Sequence, residues 1–531
     1  MNYLFNFGSI VLGALLCCSS SIMADKFFDV EFVNDSGFDD NDVYLIVKAL
    51  EPKSGKDCFM QFDLEIGEGS CTIVSKGTSS LDYSYKASQF KKLKIPMVNS
   101  GRIYVSVGMP MDLYVTSNDN KIIDSDGFKP RDPNYFTLHD KVEFSYNNLG
   151  TWINPTAVDY FSLPIRIEQP GAASHLKAAG IFESYKKVFE VLKGQVSKHD
   201  TTKFKIWKKL FVDYSDDQGN VTNLRFVAPG KAMIQGIPNT DPFDENFLNN
   251  ASSYGFDYIN AVWEFYQNNT LIIDASELRN FFALDNYHFS GKVVGNEFVF
   301  TNATGTYTEK IQKPSHSTPF FAGAGNEFDH ANNTPKAIMV RQLTSAFEVG
   351  LLPAPDGTVL DKHYFEAQQA EGNYYKANKI LPKTAQGPWY DLYAKALHSF
   401  GEDQPIYAFA YDDALGQDGT LHDPNAHHIA PVTIRLGNME GVKIPDPFTD
   451  FAKYRVEVLI GHLSQVEYNG RILKHGEILE DVSVPFIVKL NGHEANIYIK
   501  TPMVRPYFDG SDGIVVNSVS KGNATISFPG R

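Results

Sequence analysis

Basic residues are the minority charge in this 531-residue chain, 48 Lys and Arg against 63 Asp and Glu, leaving a formal net charge of -15. That deficit argues against a nucleic-acid binder, which needs a basic footprint to displace counterions. Cysteine is equally scarce. Of the four, Cys17 and Cys18 sit in an N-terminal apolar stretch, and only Cys58 and Cys71 lie beyond it. No later segment approaches about 18 uninterrupted apolar residues, so no membrane-spanning helix is expected. G-x-S-x-G, P-loop and dinucleotide fingerprints are missing, which leaves nucleophilic-esterase, NTPase and Rossmann readings without support. The chain has neither an internal repeat nor a low-complexity tract.

What is present begins with "MNYLFNFGSIVLGALLCCSSSIMADKFF", an apolar run from Ile10 to Cys18 followed by small residues and a cleavage point after Ala24. The run is too short to cross a bilayer, so residues 1–24 read as a secretory signal peptide, although the n-region has no Lys or Arg. Attachment of lipid at Cys17 or Cys18 is disfavoured, because neither follows the small residue such processing requires. The expectation is a secreted or periplasmic protein. In an exported chain the pair Cys58 and Cys71 reads as a structural disulfide across a hairpin rather than as reactive thiols.

Length alone favours two or three domains. Between 25 and 170, "FFDVEFVND", "DVYLIVKAL", "CFMQFDLEI", "RIYVSVGMPMDLYV" and "KVEFSY" alternate or run apolar between Gly, Asp and Asn, which predicts a β domain. Helical spacing takes over between 171 and 400. Ile181, Tyr185, Val188, Phe189 and Leu192 share one helical face, and Phe247, Tyr258, Val262 and Phe265 predict another helix or pair. Strands "TLIIDASEL" and "GKVVGNEFVFTNATGTYTEKI" and the helical "AIMVRQLTSAFEVGLL" and "WYDLYAKALHSFG" complete an α/β domain. Within 401–440, "QPIYAFAYDD" and "IAPVTIRLG" read as strands returning to complete the β domain. "NMEGVKIPDPFTD" marks a boundary, and six short strand candidates over 445–531 predict a small accessory β-sandwich. A β domain interrupted by an α/β domain would leave a wide cleft, where ligands usually bind.

The stretch "KVEFSYNNLGTWINPTAVDYFSLPI" carries the chemistry. Alternation sends Val142, Phe144 and Tyr146 to one face of a strand and Glu143, Ser145 and Asn147 to the other. A carboxylate, a hydroxyl and an amide in a row suit a wall that binds sugar hydroxyls, and they equally suit a solvent-facing strand. Asp159 lies among Val158, Tyr160 and Phe161, where an unpaired charge would be costly unless it is hydrogen-bonded or faces a wet cleft. Two carboxyl groups, one protonated and one ionised, are the minimum equipment for glycosidic cleavage.

Those segments, with "IQKPSHSTPFFAGAG", "VRQLTSAFEVGLL", "YAKALH" and "YAFAYDDALGQDGTLHDPN", occur in the order and with the character of glycoside hydrolase family 64, which the chain resembles from about residue 28 to 438. The resemblance implies a thaumatin-like β domain and an inverting endo-β-1,3-glucanase. In that family a Glu and an Asp sixteen residues apart are general acid and general base, a separation that Glu143 and Asp159 keep. The family's glucan-contacting positions match Ser145, Asn147, Trp152 and Thr156, and its paired acids match Asp412 and Asp413 of "YDD". Arg102 is a candidate hydroxyl donor, since thaumatin-related proteins have an Arg on a comparable strand; a strand Arg with an Asp partner is the alternative. The implied product is a short β-1,3-gluco-oligosaccharide, typically the pentamer, with no metal or organic cofactor. Nothing requires more than a monomer.

Other constellations weigh less. His422, His427 and His428 lie near Asp423, but their spacing matches no standard zinc pattern. "DDND" and "DDALGQDGT" lack the alternating ligands of a calcium loop. Tyr454, Tyr468, Tyr498 and Tyr507 would form either a sugar platform or the ordinary tyrosines of a spacer. The alternative to a hydrolase is a glucan-binding or surface-attachment protein without turnover.

Overall fold

The structure, a computed structural model, describes residues 27–90, 92–125, 127–128, 132–173, 175–199, 205–215, 219–235, 256–315, 317–376, 378–381, 389–400, 405–426, 428–445, 454–462, 464–483, 486–497, 507–509, 514–520 and 523–528. The expected leader at 1–24, together with Phe247, His427 and Tyr498, lies outside the described residues. The fold mixes β and α, with sheets predominating. It divides into two compact units. A β unit comprises Phe27–Tyr146, Val212–Arg225 and Met439–Arg531, and a mixed unit holds 147–211 and 226–438.

The β unit opens with eight strands: β1 Phe27–Asn34, β2 Val43–Leu50, β3 Asp57–Phe62, β4 Gly69–Ile73, β5 Ser84–Lys86, β6 Leu93–Pro96, β7 Val98–Val107 and β8 Leu138–Asn147. In its main sheet the order is β8-β7-β2-β3-β4, and β5 also pairs with β2, while β1 pairs with β6. Alternation in β8 is realised as read from the sequence. Val142, Phe144 and Tyr146 are buried, and Glu143, Ser145 and Asn147 are only partly covered. Phe144 and Tyr146 meet Phe28 of β1 with ring centroids 5.8 and 5.3 Å apart. That packing needs Gly101, the cross-strand partner of Phe144, because a Cβ there would lie 2.3 Å from the Phe144 ring. A bulge between Val98 and Gly101 then brings Arg102 directly opposite Glu143. Cys58 of β3 and Cys71 of β4 are joined as a disulfide, their Cα atoms 5.5 Å apart.

The same unit ends in two further sheets. One runs 477–482, 454–460, 523–528, 514–520, 507–509, and the other 471–472, 466–468, 486–490, 493–497. Val456, Val458, Phe486, Val488, Ile526 and Phe528, drawn from both sheets, share one core, which makes a sandwich. Tyr468 packs against that core, edge-on to Phe486 at 5.0 Å.

In the mixed unit β9, Gly150–Thr156, pairs with Leu421–Asp423, and Ile165–Glu168 lies between Ala178–Gly180 and Val432–Leu436. A five-stranded sheet follows the order 308–312, 297–302, 288–294, 271–274, 358–360. Its helices are α1 Tyr185–Lys198, α2 Pro229–Gln235, α3 Phe256–Asn268, α4 Ser317–Ala322, α5 Pro335–Glu348, α6 Lys362–Ala370 and α7 Leu392–His398. The Ser184 side chain caps α1 by accepting from Lys187 N, and Val188, Phe189, Leu192 and Val196 bury its apolar face. Ile181 precedes this helix. "QPIYAFAYDD" is not the expected strand: Tyr407 makes an isolated bridge to Thr156, and a 3₁₀ turn covers Asp412–Leu415. The Asp412 carboxylate takes the Ala408 N–H, and Tyr411 is left-handed at φ 75°, so the backbone curls instead of extending.

Candidate active site

Within the β unit, Glu143 sits in a row of charges that crosses three strands. Lys48 of β2 is the register partner of Arg102 on β7, and Arg102 is the partner of Glu143 on β8. Both Nε and NH2 of Arg102 reach the same carboxyl oxygen, Oε1 of Glu143, at 2.8 Å. No partner of this kind meets Oε2 among the described residues, and the Glu143 side chain keeps 13% exposure. One oxygen is thus fixed by a cation, and the other is left open. The NH1 of Arg102 bonds Asp124 Oδ2. Arg102 therefore has the Asp partner weighed for it from the sequence, and a Glu partner as well. Ser145, next on the same face, accepts from Ser100 N at 3.2 Å.

In the mixed unit Asp159 is held by Lys231 of α2, whose ammonium lies 2.9 Å from Oδ1. A cation at that distance favours an ionised carboxylate. The Asp159 main-chain oxygen also accepts from Ala228 N, which fixes the segment against the start of α2. Asn147 Oδ1 accepts from Leu149 N at 2.8 Å and shapes the turn into β9. Gly150 completes that turn at φ 116°, where a Cβ would collide with Asp423 O. Trp152 is half-buried and stacks on its cross-strand partner His422, with centroids 4.6 Å apart and planes 13° from parallel. Burial holds the His422 ring below its ordinary pKa, so the indole rests on a neutral imidazole at neutral pH.

The remaining expected contacts are placed differently from one another. Thr156 is buried, and its hydroxyl has no partner among the described residues. Asp412 is fully buried and engaged by His398 Nε2 at 2.9 Å and Ala408 N at 2.8 Å, whereas Asp413 is exposed at the same turn. Burial raises the Asp412 carboxyl against the pull of His398, and its charge in turn holds the His398 imidazole above its usual value despite burial. No group of three or more His, Cys, Asp or Glu able to hold a metal occurs among the described residues. Nor is any of their helices long and apolar enough to cross a membrane.

Lys231, Asp124, Lys48 and His422 were not expected as partners of the site. Only Asp124 had a signal, since an Asp partner was an open reading of Arg102. For the others, register across strands and a helix from a distant segment make the pairing.

Against this geometry the chain was compared with known proteins. The family model described as Beta-1,3-glucanase matches residues 26–433. The chain belongs to glycoside hydrolase family 64. A glucan endo-1,3-beta-glucosidase of Cellulosimicrobium cellulans is 22% identical over 335 residues, 63% of this chain and 52% of that protein. The chain thus spans about half the length of the curated relatives it matches. Among solved structures, a family 64 β-1,3-glucanase domain from Clostridium beijerinckii aligns at TM-score 0.56 and 22% identity, covering 78% of this chain and 98% of that one. A laminaripentaose-producing β-1,3-glucanase in complex with laminaritetraose aligns at TM-score 0.58 and 23% identity, covering 78% and 100%. These two likenesses establish the fold.

Proposed function

We propose that this family 64 chain is an exported endo-acting β-1,3-glucan hydrolase that inverts the anomeric centre and releases short oligosaccharides of about pentamer size. The observation that carries this reading is that each carboxyl group is held by a cation on one oxygen, Glu143 by Arg102 and Asp159 by Lys231, with Glu143 Oε2 left open. Two carboxyl groups are the minimum equipment for an acid and a base. Glu143 donates the proton on Oε2 to the glycosidic oxygen as the C1–O bond breaks. Asp159 takes a proton from the water whose oxygen bonds C1 on the opposite face. Both carboxyl groups then return to their starting states through solvent.

The glucan is bound, in this reading, by side chains of the thaumatin-like β domain and its return segment. Trp152 offers a ring face, Ser145, Asn147 and Asp413 offer polar groups, and the buried Thr156 hydroxyl joins them only once uncovered. Arg102 enters through Glu143, and Asp412 through the turn that presents Asp413. Family membership and the laminaritetraose complex of a relative support a β-1,3-glucan as the substrate. Export follows from the leader read at 1–24.

The test is hydrolysis of linear β-1,3-glucan by the wild type and by Glu143→Gln, with released oligosaccharides and product anomer followed by NMR. The expected result is the α-anomer from wild type and a loss of kcat of at least about 10²–10⁴-fold in the variant. A β-anomeric product overturns the inverting mechanism. Retained glucan binding without turnover by wild type leaves a glucan-binding protein.

A further inference from the structure

We propose that Asp124, set between Lys48 and Arg102, is a positioning residue for Glu143: it anchors the far side of the Arg102 guanidinium and offsets the positive charge that the proton-donating carboxyl faces. The proposal rests on the reading of Glu143 as the general acid.

The geometry is a saturated clamp. Asp124 Oδ1 receives Lys48 Nζ at 2.5 Å and the Tyr104 hydroxyl at 2.5 Å, and Oδ2 receives Arg102 NH1. Tyr104 and Arg102 leave β7 on the same face, two residues apart, while Lys48 comes from β2. With NH1 fixed on Asp124, the guanidinium plane has one remaining edge, and that edge carries the two donors that meet Oε1 of Glu143. Losing Asp124 frees the guanidinium to rotate toward either oxygen. It would then cover the one that holds the proton.

Lys48 and Arg102 are like charges at directly opposed cross-strand positions, an arrangement that is unfavourable without an anion between them. A general acid beside two uncompensated cations gives up its proton too early, because each cation favours the carboxylate. Asp124 supplies the compensating charge. Burial opposes its ionisation, but Lys48, Arg102 and Lys141 outweigh burial and hold its carboxyl well below the ordinary range, so it stays an anion throughout the working range of a glycosidase. Burial, with Arg102 adding to it, pulls the Lys48 ammonium below its usual value, and Asp124 counters that pull. The other charged groups of the cluster are Asp57 beside Lys48, Lys121 beside Asp57, and Lys141, two residues from Glu143 on β8.

The experiment is a carbon-13 NMR titration of the full chain with labelled Glu carboxyl groups, the Glu143 signal being assigned by its loss in Glu143→Gln. Asp124→Asn, Lys48→Met and the double variant are titrated beside wild type, and the pH profile of kcat on linear β-1,3-glucan is recorded for each. Asp124→Asn moves the Glu143 midpoint down by about one pH unit, and Lys48→Met moves it up, since an anion is removed in one and a cation in the other. The double variant returns it toward wild type, and the alkaline limb of kcat follows in the same order. A purely structural role for Asp124 predicts lost activity with the Glu143 midpoint unmoved or displaced the same way by both substitutions, and that result overturns the proposal. Should Asp124→Asn fail to fold, Lys48→Met still decides the sign. Shifts of opposite sign in a wild type that does not cleave glucan support the clamp and overturn the hydrolase reading.

Discussion

Lys231 reaches Asp159 from a helix far along the chain, and both side chains are about four-fifths buried. A cation so placed stabilises the ionised carboxylate proposed as the base. Lys231→Met keeps the length and the apolar stem while removing the charge. The acid limb of kcat is expected to move to higher pH, because the carboxylate without its cation binds a proton more readily, and kcat at neutral pH should fall by about tenfold or more. A pH profile of kcat checks this, and an unmoved acid limb would separate Lys231 from the base. At this scale the sequence was informative about type and face. The two-residue period showed which side chains of "KVEFSY" share a face with Glu143, because Phe144 and Tyr146 need the opposite one. It was silent about Lys231, Lys48 and the stacking of His422 on Trp152, which come from strand register and helix placement that no local pattern encodes.

Where α5 and α7 meet, two elements are joined by a carboxyl pair. Glu348 closes α5, and Asp391 caps α7 by accepting from Tyr393 N and Ala394 N, while its own N–H donates to Glu348 O at 2.9 Å. Both side chains are fully buried, and Glu348 Oε1 and Oε2 and Asp391 Oδ2 meet no donor among the described residues. A proton shared between the two groups satisfies two of these three oxygens. Burial and then the Asp391 charge push the Glu348 carboxyl well above its ordinary range, and burial pushes Asp391 up to about 7. The folded chain therefore keeps a proton that the unfolded chain releases above the ordinary carboxylate range. This contribution to stability is present at low pH and is lost as pH rises through the raised folded values. Glu348→Gln keeps a donor for Asp391 and removes the Glu348 titration, leaving that of Asp391 alone. Between about pH 5 and pH 8, urea unfolding of wild type should lose about 1–3 kcal/mol relative to the variant. Parallel pH dependence in both proteins would show that the pair is not protonated. The helices themselves were legible, since α1 and α5 carry apolar spacing and side-chain caps, whereas "QPIYAFAYDD" was misread because its apolar run is buried without becoming a strand.

Across the whole molecule, the family match ends at 433, and the sandwich that follows has a core of its own, built from residues 456–528. Each of its six expected segments holds a strand, and "QVEYNGRIL" holds two. The strands Glu477–Val482 and Tyr507–Asp509 were not expected, and neither was the parallel pairing of Tyr454–Ile460 with Asn523–Phe528. Such pairing joins the first strand to the last and leaves no local trace. The preceding segment is tied to the rest of the β unit by Met439 N on Ser36 O, by Thr222 on Lys443 O, and by Ile444, which fills the space over Gly108. A chain ending at residue 445 keeps all three contacts. It is expected to fold and to hydrolyse soluble linear β-1,3-gluco-oligosaccharides with kcat/KM within about threefold of the full chain, because a body with its own core contributes little to the packing of another. Pull-down of residues 446–531 on insoluble β-1,3-glucan then separates a sugar platform from a spacer. With Tyr468 packed on the core and edge-on to Phe486, that residue serves packing, so binding there would have to use other side chains. Loss of cooperative unfolding in the shortened chain would instead make the sandwich a structural part of the β unit.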